Sequence, residues 1–222
     1  MIIVHHLQNS RSQRVLWLLE ELGVPYDVKR YERDKVTNLA PKELLKIHPL
    51  GKSPVIEDSG AIYAETGAII EHIVETHGGG RLAPQRGTDN YRRYKYWMHA
   101  AEGSFMPPLL IALLLDRMDA AKMPFFAKPI AKKLTQGVRD AYLAGTIRNL
   151  FGYIDSELGR SNWLAGAEFS AADIIMSFPV EASLTRIEEA KRSKNIKSYV
   201  DRLHARPAYK RALERGGPYA YA

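Results

Sequence analysis

Residues 2–31 read "IIVHHLQNSRSQRVLWLLEELGVPYDVKRY", and three patterns follow one another within them. Ile2 to Leu7 is a short β-branched run of the kind that forms a buried strand. From Arg11 to about Gly23, Val15, Leu18, Leu19 and Leu22 recur at helical spacing, and Gly23 with Pro25 stops the helix. "YDVKRY" then alternates as a second strand. A strand, a helix and a strand in so short a span predict two parallel strands joined by a right-handed crossover.

Outward from this unit, "APKELLKIHPLG" predicts a short helix entered at Pro41, and "SPVIEDSGAIY" predicts strands over Pro54–Glu57 and Ala61–Tyr63 around the turn "DSG". "ETGAIIEHIVETHGGG" predicts a helix with Ile69, Ile70, Ile73 and Val74 facing inward, closed by three glycines. The expected fold class is therefore α/β plus all-α. A mixed four-stranded domain spans 1–79, a linker 80–88, and an all-helical domain 89–222. Within that helical domain, breaks are expected at Pro107–Pro108, Met123–Pro124, Gly159 to Gly166 and Pro207.

The chain has 222 residues, of which 45% are hydrophobic, enough for one or two compact cores. It contains no cysteine, which excludes disulfides, zinc–thiolate sites and a redox cysteine on the protein itself. Sulfur chemistry would need a thiol from a ligand. The net charge of +7 favours anionic partners. Basic residues are mixed with acids, as in "KRYERDK" and "RIEEAKRSK", and no nucleic-acid motif is present, so no nucleic-acid partner is expected. No stretch approaches the length of a membrane span, and "MIIVHHL" is too short for a signal peptide, which makes a cytoplasmic location the default. The seven histidines show no metal spacing, and no metal site is expected. No G-x-S-x-G elbow occurs for a serine hydrolase.

Four short motifs carry possible chemistry. Ser10-x-x-Gln13 is a capping box by sequence, with Ser10 at the N-cap. Arg11 and Arg14 add positive charge to a helix end that is already positive, so this turn looks arranged to receive an anion as well. Pro54 heads a strand, either as an edge residue or as a cis-proline that turns the preceding backbone outward. Glu65 and Thr66 open a helix, where free N–H groups and a hydroxyl can hold a carboxylate while Glu65 holds an ammonium. Ser170-x-x-Asp173, preceded by Phe169, reads as a structural capping box with a hydrophobic staple.

"SRSQRVLWLLEELGVPYDV", "HPLGKSPVIED", "AETGAIIEHI" and "FSAADIIMSFPV" together resemble the glutathione transferase family along nearly the whole chain. "HPLGKSPV", "EGSFMPPLL" and "KMPF" are similar to a serine-type branch shared by fungi and bacteria. The resemblance implies a thioredoxin-like first domain, a helical second domain and a homodimer. For the dimer, the aromatic-rich "YRRYKYW" helix supplies a candidate surface. It implies an enzyme that activates the thiol of bound glutathione as a thiolate for attack on a small, apolar electrophile, with a possible peroxidase side activity. The alternative is a non-enzymatic binding module of the same fold. Glutathione would be a co-substrate, with no permanently bound cofactor. Ser10 resembles the thiol-activating serine, with Ser12 as rival. Lys52, Ser53 and Pro54 resemble residues along the tripeptide, and Glu65 and Thr66 resemble the contacts to its γ-glutamyl head. Several serine classes carry a basic pair before the second helix, where this chain has Asn38 and Leu39. Phe105, Met106, Leu109 and Leu113 are candidates for the electrophile's wall.

Overall fold

The computed structural model describes residues 1–222. β1 (Ile2–Leu7) runs parallel to β2 (Tyr26–Tyr31), with α1 (Gln13–Leu22) as the crossover. β3 (Val55–Asp58) lies antiparallel to β1 on its other edge and pairs with β4 (Ala61–Ala64) in a hairpin. The sheet order is β2-β1-β3-β4, a thioredoxin-like mixed sheet. A 3₁₀ turn over Lys42–Lys46 stands where the short helix was expected. α2 (Thr66–His77) closes this part with Ile69, Ile70, Ile73 and Val74 buried.

The remainder is helical: α3 (Asp89–Ala100), α4 (Met106–Asp119), α5 (Ala127–Val138), α6 (Ala144–Arg160), α7 (Ala171–Leu184), α8 (Glu188–Arg192), α9 (Lys194–His204) and α10 (Pro207–Gly216). α7 is its axis, because every residue from Ala171 to Ser183 is buried. Its capping box forms as read: Asp173 accepts from the Ser170 N–H at 2.9 Å. Phe169 packs on Trp17 and Trp163.

Two expectations fail here, the helix break at Pro107–Pro108 and the absence of any stretch as long as a membrane span. Pro107–Pro108 does not break the helix. A π-turn over Ala101–Phe105 joins α3 to α4, and the prolines fall in the first turn beyond it. A proline there removes an N–H that the altered hydrogen-bond ladder can do without. The fused helix Asp89–Asp119 is 31 residues long with an 18-residue window of mean hydropathy 1.4, long and apolar enough to span a membrane by those criteria alone. Here Trp97, Met98, Ala101, Phe105 and Leu109 bury its apolar face in the bundle.

The two parts share one core. A continuous buried cluster runs from Ile2 through Trp17 and Ile174 to Ala212. α10 returns to pack on α1: Trp17 meets Tyr209 edge-on at 5.0 Å, and a Cβ on Gly216 would stand 2.3 Å from Gln13 Oε1. This packing undoes the predicted capping box of α1. Gln13 is turned toward α10 rather than back to Ser10, and the N-cap position is taken by Ser12 with no side-chain cap bond.

Candidate functional site

β1 ends at Leu7, and Asn9, with φ of 50°, turns the chain toward α1. That turn brings Ser10 and Ser12 together, their Oγ atoms 2.7 Å apart. Ser12 is wholly enclosed. Its Oγ lies 2.9 Å from His6 Nδ1 and accepts from the Leu7 N–H at 3.3 Å. Ser10 Oγ accepts from the Ser12 N–H at 3.2 Å, and Ser10 lines a cleft of about 860 Å³ between the sheet edge and the helices. The His6 imidazole is pulled down to about 4 by burial and then by Arg30, with a hydrogen bond to the Gly216 backbone opposing them. It is neutral at pH 7. With the neutral ring's proton on the nitrogen facing the Gly216 backbone, Nδ1 accepts from Ser12. The Ser10 proton is then the mobile one, resting on Ser12 or turned into the cleft.

The same cleft is lined by Lys52 and Ser53. The Ser53–Pro54 bond is cis. Ser53 Oγ donates to the His5 carbonyl at 2.8 Å and accepts from Leu7 N–H at 3.3 Å, which anchors it to β1. Neither the N–H nor the C=O of Ser53 makes a backbone hydrogen bond, so both can pair with an extended ligand. Pro54 itself is buried behind this edge. Lys42, Arg33, Arg11, Arg117 and Arg186 also border the cleft, and no acidic residue does. Asn38 and Leu39 stand on its wall too, and Lys42, four residues beyond Asn38, supplies a cation beside them.

Arg14 is not placed to receive an anion. It is buried, donates to the Ile175 carbonyl at 2.5 Å and to Thr66 Oγ1 at 3.4 Å, and pairs with Glu102 at 2.6 Å. Burial pulls its guanidinium below the ordinary value, and Glu102 partly restores it. Glu102 also pairs with Arg11 at 2.8 Å, so one carboxylate from the helical part bridges both arginines. Sequence reasoning passed over Glu102 because its partners are 88 and 91 residues away. Thr66 is buried at the start of α2 with its hydroxyl turned to Arg14. Glu65, beside it at φ of 70°, accepts from the Ile69 N–H through its carbonyl, while its exposed carboxylate makes no hydrogen bond or ion pair and, like Thr66, lies outside the cleft lining.

The opposite wall comes from α4 and α7: Met106, Leu109, Leu110 and Leu113 with Phe178 and Ala182. Phe105 does not reach it. Its ring is 0% exposed, wedged between Trp97 and Phe151 with centroids 6.1 and 5.7 Å away. The π-turn rotates the helix so that Phe105 points to the core and Leu110 to the cleft.

Comparison with known proteins identifies the family. Residues 1–75 match the family model described as glutathione S-transferase, N-terminal domain, and residues 117–207 match that for its C-terminal domain. The chain is 39% identical over 216 residues to glutathione S-transferase 3 of Schizosaccharomyces pombe, covering 97% of this chain and 88% of the relative. It is 35% identical over 193 residues to glutathione S-transferase 1 of Saccharomyces cerevisiae, covering 84% and 82% respectively. Among solved structures, a glutathione S-transferase from Actinobacillus pleuropneumoniae superposes with a TM-score of 0.82 at 32% identity, over 100% of this chain and 95% of that one. With both halves matched and relatives at this identity along nearly its full length, the chain belongs to the glutathione S-transferase family.

Proposed function

We propose that this transferase holds the sulfur of glutathione against Ser10 and presents it as a thiolate to an electrophile seated on the α4–α7 wall. The observation that carries the reading is the Ser10 hydroxyl on the wall of a cleft with no acidic lining, beside the unpaired main-chain groups of Ser53. The cysteinyl unit of the tripeptide pairs with Ser53, its ammonium reaches Glu65, and its glycyl carboxylate reaches Lys52 and Lys42. Thr66 contributes its main chain at the start of α2, since its hydroxyl is engaged by Arg14.

A thiol of pKa near 8.5 is about 3% ionised at pH 7. Lowering it by about two units requires roughly 2.7 kcal/mol of preference for the thiolate. Ser10 cannot remove the proton, being far too weak a base, but turned from Ser12 toward sulfur it donates a charge-assisted hydrogen bond of about 1.5–3 kcal/mol. Ser12 then holds Ser10 in place from behind, with neutral His6 as its support. The N-terminus of α1 adds about 0.3–1 kcal/mol. The thiol proton leaves to solvent. The sulfur lone pair forms the C–S bond as the electrophile's leaving group departs with its electron pair, or as an activated double bond accepts it. Attack on the O–O bond of a hydroperoxide would release the alcohol and leave a sulfenic acid, which a second glutathione reduces to the disulfide and water.

The reading extends to a homodimer, supported by the family and by the half-exposed rings of Tyr96 and Tyr153 on α3 and α6. It also extends to a cytoplasmic role in disposing of reactive compounds, supported by the family alone. The direct test is calorimetry with reduced glutathione, followed by conjugation assays across several electrophile classes. Micromolar to millimolar binding with turnover lost in Ser10→Ala supports the scheme. Unaltered turnover in that variant sinks the serine's role.

A further inference from the structure

Away from the cleft, Asp58, His72 and His77 converge at the far end of β3. His72 and His77 are five residues apart, about 140° around an ideal helix, which is not a spacing that places two ligands on one face. Yet α2 ends at His77, and both Nε2 atoms meet the same oxygen, Asp58 Oδ2, at 2.9 and 2.8 Å. Asp58 is buried, and its other oxygen accepts from Ser59 Oγ at 3.1 Å. All three potential ligand atoms lie within 4.8 Å of one another.

The His72 ring is held in orientation from two directions. Tyr63 of β4 stacks on it at 3.8 Å with planes 18° apart. Thr76 Oγ1 donates to the His72 carbonyl, so its oxygen can only accept from His72 Nδ1, 3.2 Å away. The neutral ring thus carries its proton on Nδ1 and aims the Nε2 lone pair at a carboxylate. Two acceptors facing each other at 2.9 Å need a positive charge between them, either a proton or a metal ion. Metal-binding histidines are oriented by an acceptor on the nitrogen away from the ion, and Thr76 Oγ1 stands in that place behind His72 while Nε2 faces Asp58.

We propose that Asp58, His72 and His77 form a three-ligand site for a divalent transition cation of the zinc class, which ties α2 to the β3–β4 hairpin. Two imidazoles and one carboxylate suit zinc, cobalt or nickel better than magnesium or calcium. Bonds of about 2.0–2.2 Å in a tetrahedron separate ligand atoms by roughly 3.3 Å. The two histidines therefore move outward by about half an ångström as the ion displaces the direct hydrogen bonds. The fourth position is open to water. Ser53 lies five residues from Asp58 along the strand, roughly 15 Å from it, so the ion sits apart from the thiol chemistry. The ion's role is structural, and the proposal stands whether or not the glutathione assignments above hold.

The test uses the full chain, stripped by a chelator and free of glutathione, which itself binds zinc. Zinc ion alone is titrated in competition with a chromophoric chelator, with cobalt(II) absorption as a second probe. The expected result is one ion per chain, visible cobalt bands of a four-coordinate site, and a Tm that rises with zinc and falls with chelator. His72→Asn and His77→Asn should each weaken binding at least about tenfold, Thr76→Val should weaken it less, and His99→Asn should leave it unchanged. Should either ligand variant fail to fold, the wild-type cobalt spectrum still decides. Cobalt bands absent at saturating ion, or zinc uptake equal in both histidine variants, would show that the cluster is only a hydrogen-bonded clamp.

Discussion

Ser10 Oγ and Ser12 Oγ are 2.7 Å apart, yet Ser10 is on the cleft wall and Ser12, at 0% exposure, is behind it. The pair therefore divides one hydrogen-bonded chain into a member that can reach a ligand and a member that supports it. Ser10→Ala should raise the pKa of the bound thiol and lower turnover at pH 6.5 by roughly ten- to a hundredfold, the equivalent of about 1.5–3 kcal/mol. At pH 8.5 the defect should shrink, because the thiol ionises unaided. Turnover against pH for the two enzymes side by side is the measurement. A loss of equal size at both pH values would count against thiolate stabilisation.

Ser12→Ala should behave differently. It leaves the buried His6 Nδ1 without its partner and the Leu7 N–H with Ser53 Oγ alone, so denaturant titration should show a loss of about 1–3 kcal/mol. Its turnover should fall less than that of Ser10→Ala at pH 6.5. If the order is reversed, Ser12 rather than Ser10 is the group at sulfur.

His6 sets an acid limit on the fold. Its folded-state value of about 4 lies below the ordinary 6.5, so between these values the unfolded chain binds more protons. Stability from this residue is full above pH 6.5 and is lost as pH falls toward 4, by up to about 3 kcal/mol. Asp173 works in the opposite sense over part of that range, because burial raises its carboxyl to about 6. Comparing wild type with His6→Gln isolates the histidine. The stability difference between them should shift in favour of the variant as pH drops, and a pH-independent difference would refute the assignment.

Glu65→Gln should weaken glutathione binding by roughly 1.5–3 kcal/mol, since it removes an open carboxylate from the place assigned to an ammonium. Calorimetry reads this directly. A glutathione analogue lacking the α-amino group should bind wild type and variant alike, and discrimination between the two analogue titrations would remove Glu65 from the head-group site.

On the electrophile wall, Phe105 and Leu110 should part company. Phe105→Ala opens a cavity beside Trp97 and Phe151 and should cost about 3–5 kcal/mol of stability. Leu110 is half-exposed in the cleft, so Leu110→Ala should leave stability within about 1 kcal/mol and change KM for the electrophile. The opposite pattern would mean that the wall is assigned to the wrong side of the helix.

The contrast between these two residues shows where the sequence can be read and where it cannot. The strands, α1 and α2 were legible because their periods are local and their ends are marked by Gly23, Pro25 and Gly78. The box at Ser170 was legible because both its members lie within four residues. Phe105 was misplaced because a π-turn rotates the helical register, and nothing in "AEGSFMPP" announces it. Arg14 was misread because its partners Glu102 and Ile175 come from the helical part, beyond any window of local spacing. Asp58 and the two histidines escaped for the same reason: the turn end of a hairpin and the last turn of α2 meet only in three dimensions.

The packing of α10 on α1 has a consequence for the order in which the protein can be made. Segments of a growing chain ordinarily fold as they leave the ribosome. Here Trp17 waits for Tyr209, and Leu16 and Gln13 wait for Gly216. α1 also packs on α2 and α7, so only the face that meets α10 stays uncovered until the segment from Pro207 has been made. The first part and α10 therefore complete one another's packing, and a chain cut before Pro207 would leave Trp17, Leu16 and Gln13 without the partners that cover them in the folded protein.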